Sequence, residues 1–416
     1  MNDLGSEVDN ISDELIAEET RTWTGDTSSP FVFPFHIGDG RPPRPAWIEL
    51  DLARWRRNFQ LIRAELPTGL GLLSVVKDEA YGHGLLPAAR LATEAGVKFF
   101  AVSTVEEGVK LRDGGIRQRI LVLGDRQEAE LPWCVAHDLT CCLGEPGIVC
   151  KLAHIAERAG KRVAVHLKIN TGMNRYGVRW NEVLSVAEKI VAEKSLRLEG
   201  VLSHFAQSDE LDKTFATLQL SRFNDALQSL AARGLSVPLR HLCNSGGFLD
   251  LPVAHFDMVR MGILPLGVFP SQVCRRIPGL AAVMSVKARI ASIQHLQPGD
   301  HVGYGMRYTA NENRRIAVLP IGYGDGYPRV RNLGCALIHG KRAPVVGGVS
   351  MDALTVDITE IPEARLWDVA TLMGRAGDDE ISVHEIAKIK NSASYDVLCS
   401  WRGRLPRIYV NDELAQ

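Results

Sequence analysis

The stretch LLSVVKDEAYGHG, residues 72–84, places a lysine directly after a short apolar run that is rich in β-branched residues. Such a run predicts a buried β-strand, and Lys77 stands where that strand should end. A lysine amine that is partly desolvated at a strand mouth has a lowered pKa and can form a Schiff base. Most lysines beside strands are ordinary surface residues. Whether Lys77 is a surface residue or a Schiff-base lysine therefore depends on the residues found in the rest of the chain.

Seven further apolar runs follow the one at 71–76, and amphipathic stretches that close on glycine separate most of them. The runs are 99–103, 119–124, 139–144, 162–169, 198–205, 238–244 and 255–262. Apolar strands that alternate with helices predict a parallel sheet covered on both faces, and eight such units in roughly 220 residues predict a TIM (β/α)8 barrel. The alternative is a doubly wound open sheet, but no G-x-G-x-x-G follows the first strand.

The sequence pattern changes near residue 280. After it, short runs of alternating apolar and polar residues are separated by Gly, Pro and Asp. That pattern predicts an antiparallel β domain. We therefore expect a barrel over 44–280 and a C-terminal β domain over 281–416. Residues 1–43 begin with seven acidic and no basic residues in the first twenty, which predicts a disordered acidic extension and neither a secretory signal nor a transit peptide.

The composition excludes several classes of protein. Net charge is −1, from 48 basic and 49 acidic residues, so there is no electrostatic argument for nucleic acid or an anionic membrane. No apolar stretch approaches the roughly 20 residues that cross a bilayer. The eight cysteines form no C-x-x-C pair, which indicates reduced thiols in a cytoplasmic protein and neither a metal site nor a disulfide framework.

Polar residues recur where the predicted barrel strands end, and in a TIM barrel those ends form the active site. Together they would place several cations and a hydroxyl at one mouth, which suits an anionic, conjugated ligand. The residues are Lys77, Lys168 with Arg175, His204, Asn244 with Ser245, and Arg260 with Gly262.

Eight motifs in order resemble those of the alanine racemases, which are fold-type III enzymes dependent on pyridoxal 5'-phosphate (PLP). The resemblance extends from about residue 45 to about residue 410. The motifs are LLSVVKDEAYGHG, HLKINTGMNRYG (166–177), HLCNSGG (241–247), VRMGI (259–263), VGYGMRYTA (302–310), PIGYGDGY (320–327), VSMD (349–352) and SASYD (392–396).

The resemblance implies a role for each matching residue at the cofactor. Lys77 would carry PLP as a Schiff base, Arg175 would face its phenolic oxygen, and His204 and Arg260 would lie at its pyridine ring. The matching family lysine, here Lys168, is often carbamylated. The remaining cofactor residues, several of them at the phosphate, would be Tyr81, Asn244, Ser245, Gly262, Ile263 and Tyr395.

By the same resemblance the C-terminal domain completes the site. Tyr304 would be the second catalytic residue, and Tyr323, Met351 and Asp352 would join Arg175 near the substrate. Racemisation needs one base on each face of Cα, so Lys77 would serve the D-face and Tyr304 the L-face. The family implies a head-to-tail homodimer in which the tyrosine comes from the other subunit, and a product, D-alanine, destined for peptidoglycan.

Some positions depart from the family pattern and leave the substrate open. Asp78 and Glu79 follow the lysine, Asn170 replaces an aspartate, and Gly348 and Ser350 stand where relatives commonly have arginine and cysteine. Leu266 stands in place of a tyrosine. A serine or broader racemase is therefore an alternative. A decarboxylase of this fold would need an acid at the position of Arg260, and a non-catalytic PLP-binding protein would lack the domain that carries Tyr304.

Overall fold

The computed structural model describes residues 44–412, and the predicted acidic extension, residues 1–43, lies outside the described residues. Within this range no helix is both long and apolar enough to cross a membrane. The chain opens with strand β1 (Ala46–Asp51) and helix α1 (Leu52–Glu65). Asp51 caps α1, because its carboxylate accepts a hydrogen bond from the N–H of Arg54 at 2.8 Å.

Strands β2 to β10 build a parallel barrel, with short β7 added to the side of β6. Their apolar side chains are buried because helices cover the sheet. The strands are β2 (Gly71–Val75), β3 (Phe99–Val102), β4 (Arg119–Val122), β5 (Thr140–Leu143), β6 (Val163–Asn170), β7 (Val178–Arg179), β8 (Leu196–Leu202), β9 (Leu239–His241) and β10 (Met258–Met261).

The barrel is nearly closed. Strand β10 pairs with β2, and two backbone hydrogen bonds of 3.0 Å connect the β9 and β10 regions, from Asp257 N to Arg240 O and from Arg260 N to Cys243 O. Each of the eight strands around the barrel overlaps one of the apolar runs picked out in the sequence. The barrel prediction is confirmed, and the open-sheet alternative is wrong.

Helices follow most of the barrel strands, and three of them, which begin after Thr104, Glu145 and Asn244, have a side-chain cap. Helix α3, for example, starts with a capping box in which Thr104 and Glu107 bond each other's backbone N–H. The helices are α2 (Leu85–Glu94), α3 (Val105–Asp113), α4 (Leu131–Ala136), α5 (Pro146–Arg158), α6 (Leu184–Ala192), α7 (Thr214–Ala232) and α8 (Ser245–Asp250). Single 3₁₀ turns occur at Glu128–Glu130, Trp180–Glu182, Pro252–Ala254 and Leu264–Leu266.

The C-terminal region is mostly antiparallel, as predicted. Its main sheet has the order β17-β16-β19-β11-β1-β21, and β12-β15-β18 and β13-β14 form two smaller sheets. The strands are β11 (Met284–Arg289), β12 (Ser292–Leu296), β13 (His301–Val302), β14 (Tyr308–Thr309), β15 (Arg314–Leu319), β16 (Cys335–Ile338), β17 (Lys341–Pro344), β18 (Leu354–Asp357), β19 (Val369–Ala376), β20 (Asp379–Ile381) and β21 (Arg407–Val410), with helices α9 (Val383–Lys390) and α10 (Ser394–Ser400).

Strand β1 precedes the barrel in sequence but belongs to this second sheet. It pairs antiparallel with β11 and parallel with β21, the last described strand. The range 44–280 assigned to the barrel therefore contains one strand of the other domain. A boundary near 280 stays a prediction.

Candidate active site

Lys77 emerges at the carboxyl end of β2, where the backbone N–H of Val76 still bonds Ala101 O at 2.9 Å. The next four residues, Asp78 to Tyr81, all have φ near +50°, so the chain makes a left-handed turn after the lysine. Left-handed conformation disfavours L-residues, so other contacts must hold the turn. Lys77 itself is half-buried at the barrel mouth.

The C-terminal strand supplies those contacts. Arg407 Nε donates to Gly82 O at 2.7 Å, and Tyr409 Oη donates to His83 O at 3.2 Å. Gly84 has φ +102°, and a Cβ at that position would overlap the Tyr409 hydroxyl. The conformation of the lysine segment therefore depends on β21, more than 300 positions further along the chain.

Of the two acids beside Lys77, Glu79 contacts neighbouring helices and Asp78 is exposed. The N–H of Asp78 donates to Glu107 Oε1 at 2.6 Å, and the carboxylate of Asp78 itself is exposed. Glu79 accepts from Leu85 N at 2.9 Å and pairs with Lys110 at 3.2 Å. Both oxygens of Glu79 are thus occupied away from the lysine amine.

Tyr81 and Tyr395 meet at one side of the mouth, with ring centroids 6.1 Å apart. Burial raises the pKa of both phenols, so each keeps its proton and can donate a hydrogen bond. Gly262 lies against Tyr81, and a Cβ there would overlap the phenol oxygen. Within residues 44–412 neither Gly262 N–H nor Ile263 N–H donates to a protein acceptor. This corner therefore offers several free donors.

Asn244 and Ser245 stand at the start of α8 beside this corner. The Asn244 side chain caps the helix, because its Oδ1 accepts from Gly247 N at 2.9 Å and from Ser208 Oγ at 2.8 Å. Ser245 is buried immediately after it. In the structure Asn244 is therefore a residue that fixes the helix start.

A buried arginine on β10 contacts His204. Arg260 is 3% exposed, and its Nη2 donates to His204 Nδ1 at 3.0 Å. Its guanidinium also donates to three backbone oxygens, Ser203 O, His241 O and Leu242 O, at 2.7, 2.9 and 3.1 Å. Burial lowers the pKa of Arg260 to about 10, which leaves it a cation at neutral pH. Burial and the positive charge of Arg260 hold the pKa of His204 well below its usual value, so this imidazole is neutral.

Lys168 and Arg175 line a cleft of about 200 Å³ with His204, Asn170 and Tyr176. Burial and the charge of Arg260 lower the pKa of Lys168 to about 7. Gly177 packs so closely on Lys168 that a Cβ would lie 2.6 Å from its carbonyl oxygen. Lys77 also lies close enough to lower the pKa of His204. The structure therefore gathers the predicted cations of the barrel at one mouth.

The C-terminal residues form a second group. Tyr323 N donates to Ser350 O at 3.0 Å, and Arg404 pairs with Asp352 at 2.5 Å beside exposed Met351. Tyr304 lies in the β13–β14 turn and is 82% exposed. Within residues 44–412 no hydrogen bond or ion pair connects the side chains of this group to the barrel mouth. In the described chain Tyr304 therefore lies on a solvent-exposed turn and makes no hydrogen bond to Lys77.

Three buried polar residues below Arg260 were not among the predicted site residues: His241, His166 and Glu199. They stand within the largely apolar strand runs PLRHLCN, RVAVHLKI and LEGVLSHF. A polar residue within a barrel strand needs a buried partner, and that signal was available in the sequence.

Two family models match the chain, the alanine racemase N-terminal domain over residues 50–270 and the alanine racemase C-terminal domain over 283–409. The chain is 41% identical to an alanine racemase of Syntrophobacter fumaroxidans over 85% of this chain and 95% of that one. It superposes on the alanine racemase of Clostridium difficile with a TM-score of 0.85, at 30% identity, over 89% and 97% of the two chains.

A histidine racemase from Leuconostoc mesenteroides is also similar, with a TM-score of 0.80 and 28% identity over 89% of this chain and 99% of that one. The family resemblance identified from the sequence motifs is confirmed by both family models. This chain belongs to the alanine racemase family, a family of PLP-dependent isomerases.

Proposed function

We propose that this enzyme interconverts L-alanine and D-alanine with bound PLP, using Lys77 and Tyr304 as the two proton-transfer groups. The observation that carries the proposal is the barrel mouth itself, where a half-buried Lys77 lies beside the neutral His204 and the buried cation Arg260. The family name and the relatives at 36–41% identity support alanine as the substrate.

The residues present fit PLP by their chemistry. At one side, the phenols of Tyr81 and Tyr395 and the free N–H groups of Gly262 and Ile263 are donors suited to a phosphate. Ser245 would add a hydroxyl. At the other side, Arg260 would face the pyridine nitrogen, with His204 beside the ring and Asn244 holding the helix start. When bound, PLP supplies delocalisation of the charge left at Cα by proton removal.

The protein would move the proton with one group on each face of the substrate. Lys77, freed from the cofactor by substrate, would take or return the proton on the D-face, and Tyr304 would do so on the L-face. A phenol with its ordinary pKa near 10 is a poor base at pH 7. The Arg260–His204 pair would help by placing positive charge close to the phenolate.

Arg260 also restrains side reactions. A guanidinium is a permanent cation and a donor only, so it cannot accept a hydrogen bond from a protonated pyridine nitrogen and would disfavour that protonation. A decarboxylase would gain from a carboxylate here, and this chain has Arg260 at that position. This supports racemisation over decarboxylation.

We propose further that two chains associate head to tail, because Tyr304 is 82% exposed on its turn and is not joined to the barrel mouth. Tyr304 of the partner subunit would then meet Lys77, and Tyr323, Met351 and Asp352 of the same domain would line the substrate's approach with Arg175. The enzyme would act in the cytoplasm and supply D-alanine for peptidoglycan.

A serine or broader racemase is the second candidate. It is favoured by Gly348, which stands where relatives commonly have arginine. A Cβ here would lie 3.7 Å from the Arg331 side chain and 4.0 Å from the carbonyl oxygen of Tyr304, so the glycine leaves out a side chain beside the turn that carries Tyr304. The similarity to a histidine racemase shows that the same fold serves a larger substrate in another protein.

The test is incubation of the PLP-loaded enzyme with L-alanine in D₂O, followed by chiral separation and mass analysis. Deuterated D-alanine is the expected product. If Cα exchanges without inversion, the Tyr304 half of the proposal is wrong. If L-serine inverts faster than L-alanine, the alternative substrate replaces alanine, and no exchange with any amino acid would overturn the proposal.

A further inference from the structure

Below Arg260 a row of buried polar side chains runs down the barrel interior, which we name the interior column: Arg260, His241, His166 and Glu199. Arg260 Nη1 lies 3.1 Å from His241 Nδ1, His241 Nε2 lies 2.8 Å from His166 Nδ1, and His166 Nε2 lies 3.3 Å from Glu199 Oε2. Both histidines are 0% exposed and Glu199 is 2% exposed. The column thus connects the cofactor side of the barrel to its opposite end without passing through water.

The chemistry of the two ends fixes the direction of every hydrogen bond between them. Arginine has no acceptor, so His241 Nδ1 must accept and its proton must sit on Nε2. That proton can only be donated to His166 Nδ1, which puts the His166 proton on Nε2, facing Glu199. An ionised carboxylate accepts only. One arrangement of protons therefore satisfies all three contacts, with both imidazoles neutral.

The charges agree with this arrangement. Burial lowers the pKa of His166 and of His241, which keeps both rings neutral. Burial alone would disfavour a charged Glu199, but its contact with His166 and the nearby arginines outweigh it, and the pKa of this carboxyl is lowered. Arg197 and Arg119 lie 2.9 and 3.2 Å from Glu199 Oε1, outside hydrogen-bond alignment.

The sequence makes room for the column at Gly200, the residue after Glu199. A Cβ at this position would lie 2.8 Å from His166 Cε1 and 2.9 Å from His166 Nδ1. Any larger residue would push the His166 ring off its two partners. The ring is thus held from both sides, by hydrogen bonds along the column and by the glycine across it.

We propose that Glu199 is the remote counter-charge of Arg260 and that His166 and His241 are positioning residues between them. Because the Glu199 carboxylate can only accept a hydrogen bond, it fixes the tautomer of His166, and His166 in turn fixes the tautomer of His241. As a result, Arg260 is held so that its Nη2 donates a hydrogen bond to His204 Nδ1. The proton of the neutral His204 ring then lies on Nε2. The inference rests on the proposed role of Arg260 and His204 at the cofactor.

The first test measures the two tautomers in the wild-type enzyme. Nitrogen NMR of the PLP-loaded enzyme with ¹⁵N-labelled histidine reports which ring nitrogen carries the proton, and His166→Gln and His241→Gln assign the two signals. We expect both residues to be neutral with the proton on Nε2 from pH 6 to 9. A proton on Nδ1 of either ring, or a charged ring, would overturn the proposal. This readout does not require turnover, so it stands apart from any failure of the racemase assignment.

The second test is Glu199→Gln. Glutamine keeps the shape of the side chain but can either accept a hydrogen bond from His166 or donate one to it. We expect the fixed tautomers to be lost and kcat to fall roughly tenfold, the size of one charge-assisted hydrogen bond. The KM for alanine and the PLP content should not change. Normal kcat with wild-type nitrogen signals would mean that Glu199 is a structural residue only.

The matched control is Asp257→Asn at the foot of the neighbouring strands. Asp257 is likewise held by an arginine, at 2.7 and 3.0 Å from Arg240, but lies outside the column. It should cost stability without changing kcat or the histidine signals. If it changes them as Glu199→Gln does, the effect is a general consequence of loosening the barrel and the proposal is wrong.

Discussion

Lys168 is the residue whose chemistry depends most directly on its surroundings. Its pKa is lowered to about 7 by burial and by Arg260, so at pH 8 most of the amine is neutral and can attack CO₂. The new N–C bond forms as the amine loses a proton to solvent. We therefore propose that Lys168 is carbamylated, which would give Arg175 an anionic neighbour in the same cleft.

Carbon NMR with ¹³C-bicarbonate tests this carbamate. We expect a signal at pH 8 that weakens as the pH falls below about 7, because the protonated amine has no lone pair. The signal should vanish in Lys168→Met and persist in Lys98→Met, which removes an exposed lysine. A signal that survives in Lys168→Met would place the carbamate elsewhere, and no signal would leave Lys168 unmodified.

At this scale the sequence predicted which residues face the mouth but not the hydrogen bonds between them. Lys77, Lys168, His204 and Arg260 could be found because each stands at a strand end. Glu199 could not be connected to Arg260, because two histidines from other strands intervene and their tautomers follow only from the three-dimensional contacts.

At the scale of elements, the left-handed turn after Lys77 is the least expected feature. Four consecutive residues in this conformation cost about 1–2 kcal/mol each. The apolar run and the glycines of this segment do not predict such a turn. The turn persists because Arg407 and Tyr409 of β21 bond the carbonyls of Gly82 and His83. A strand near the C-terminus thus sets the direction of the lysine near the N-terminus.

Arg407→Gln should therefore weaken PLP binding as well as stability. We expect the free energy of unfolding to fall by about 2 kcal/mol, the value of a lost charge-assisted hydrogen bond, with a weaker Kd for PLP in a fluorescence titration. Arg315→Gln is the matched control, because Arg315 also donates to several backbone carbonyls, those of Ile361, Pro362 and Ala364, but in the β domain.

The control should lose stability without any change in the Kd for PLP. An Arg407→Gln enzyme that unfolds more easily but binds PLP as tightly as the wild type would contradict the link between β21 and the lysine turn.

The elements themselves were largely predictable, since each of the eight strands around the barrel overlaps one of the apolar runs of the sequence. The position of β1 was not. Ala46–Asp51 reads like a strand beside the barrel, but its hydrogen-bond partners are at 284–288 and 407–410. Local sequence carries no information on pairing over such separations, because register depends on which apolar faces are left uncovered after the barrel closes.

For the whole molecule, the strand pairing of β1 with β21 places the start and the end of the described chain in one sheet. That sheet also belongs to the domain that presents Tyr304 to solvent. In the described chain Lys77 lies at the barrel mouth, whereas Tyr304 lies on an exposed turn with no hydrogen bond to that mouth. A head-to-tail dimer with a twofold axis would bring the Tyr304 of each chain to the Lys77 of the other, and twofold dimers are the commonest oligomers.

Complementation between two inactive subunits tests this central claim most directly. A Lys77→Ala subunit and a Tyr304→Phe subunit with different affinity tags are co-expressed, and the mixed dimer is purified through both tags. One of its two shared sites then has an intact Lys77 and an intact tyrosine. We expect about half of the wild-type kcat per dimer, whereas each parent dimer should be almost inactive.

The matched control joins a wild-type subunit to a Lys77→Ala/Tyr304→Phe subunit, which leaves no complete shared site and should be inactive. The account predicts activity in the first mixed dimer and none in the second. The opposite result, an inactive first dimer and an active second one, would show that Tyr304 serves the Lys77 of its own chain and would contradict the shared active site.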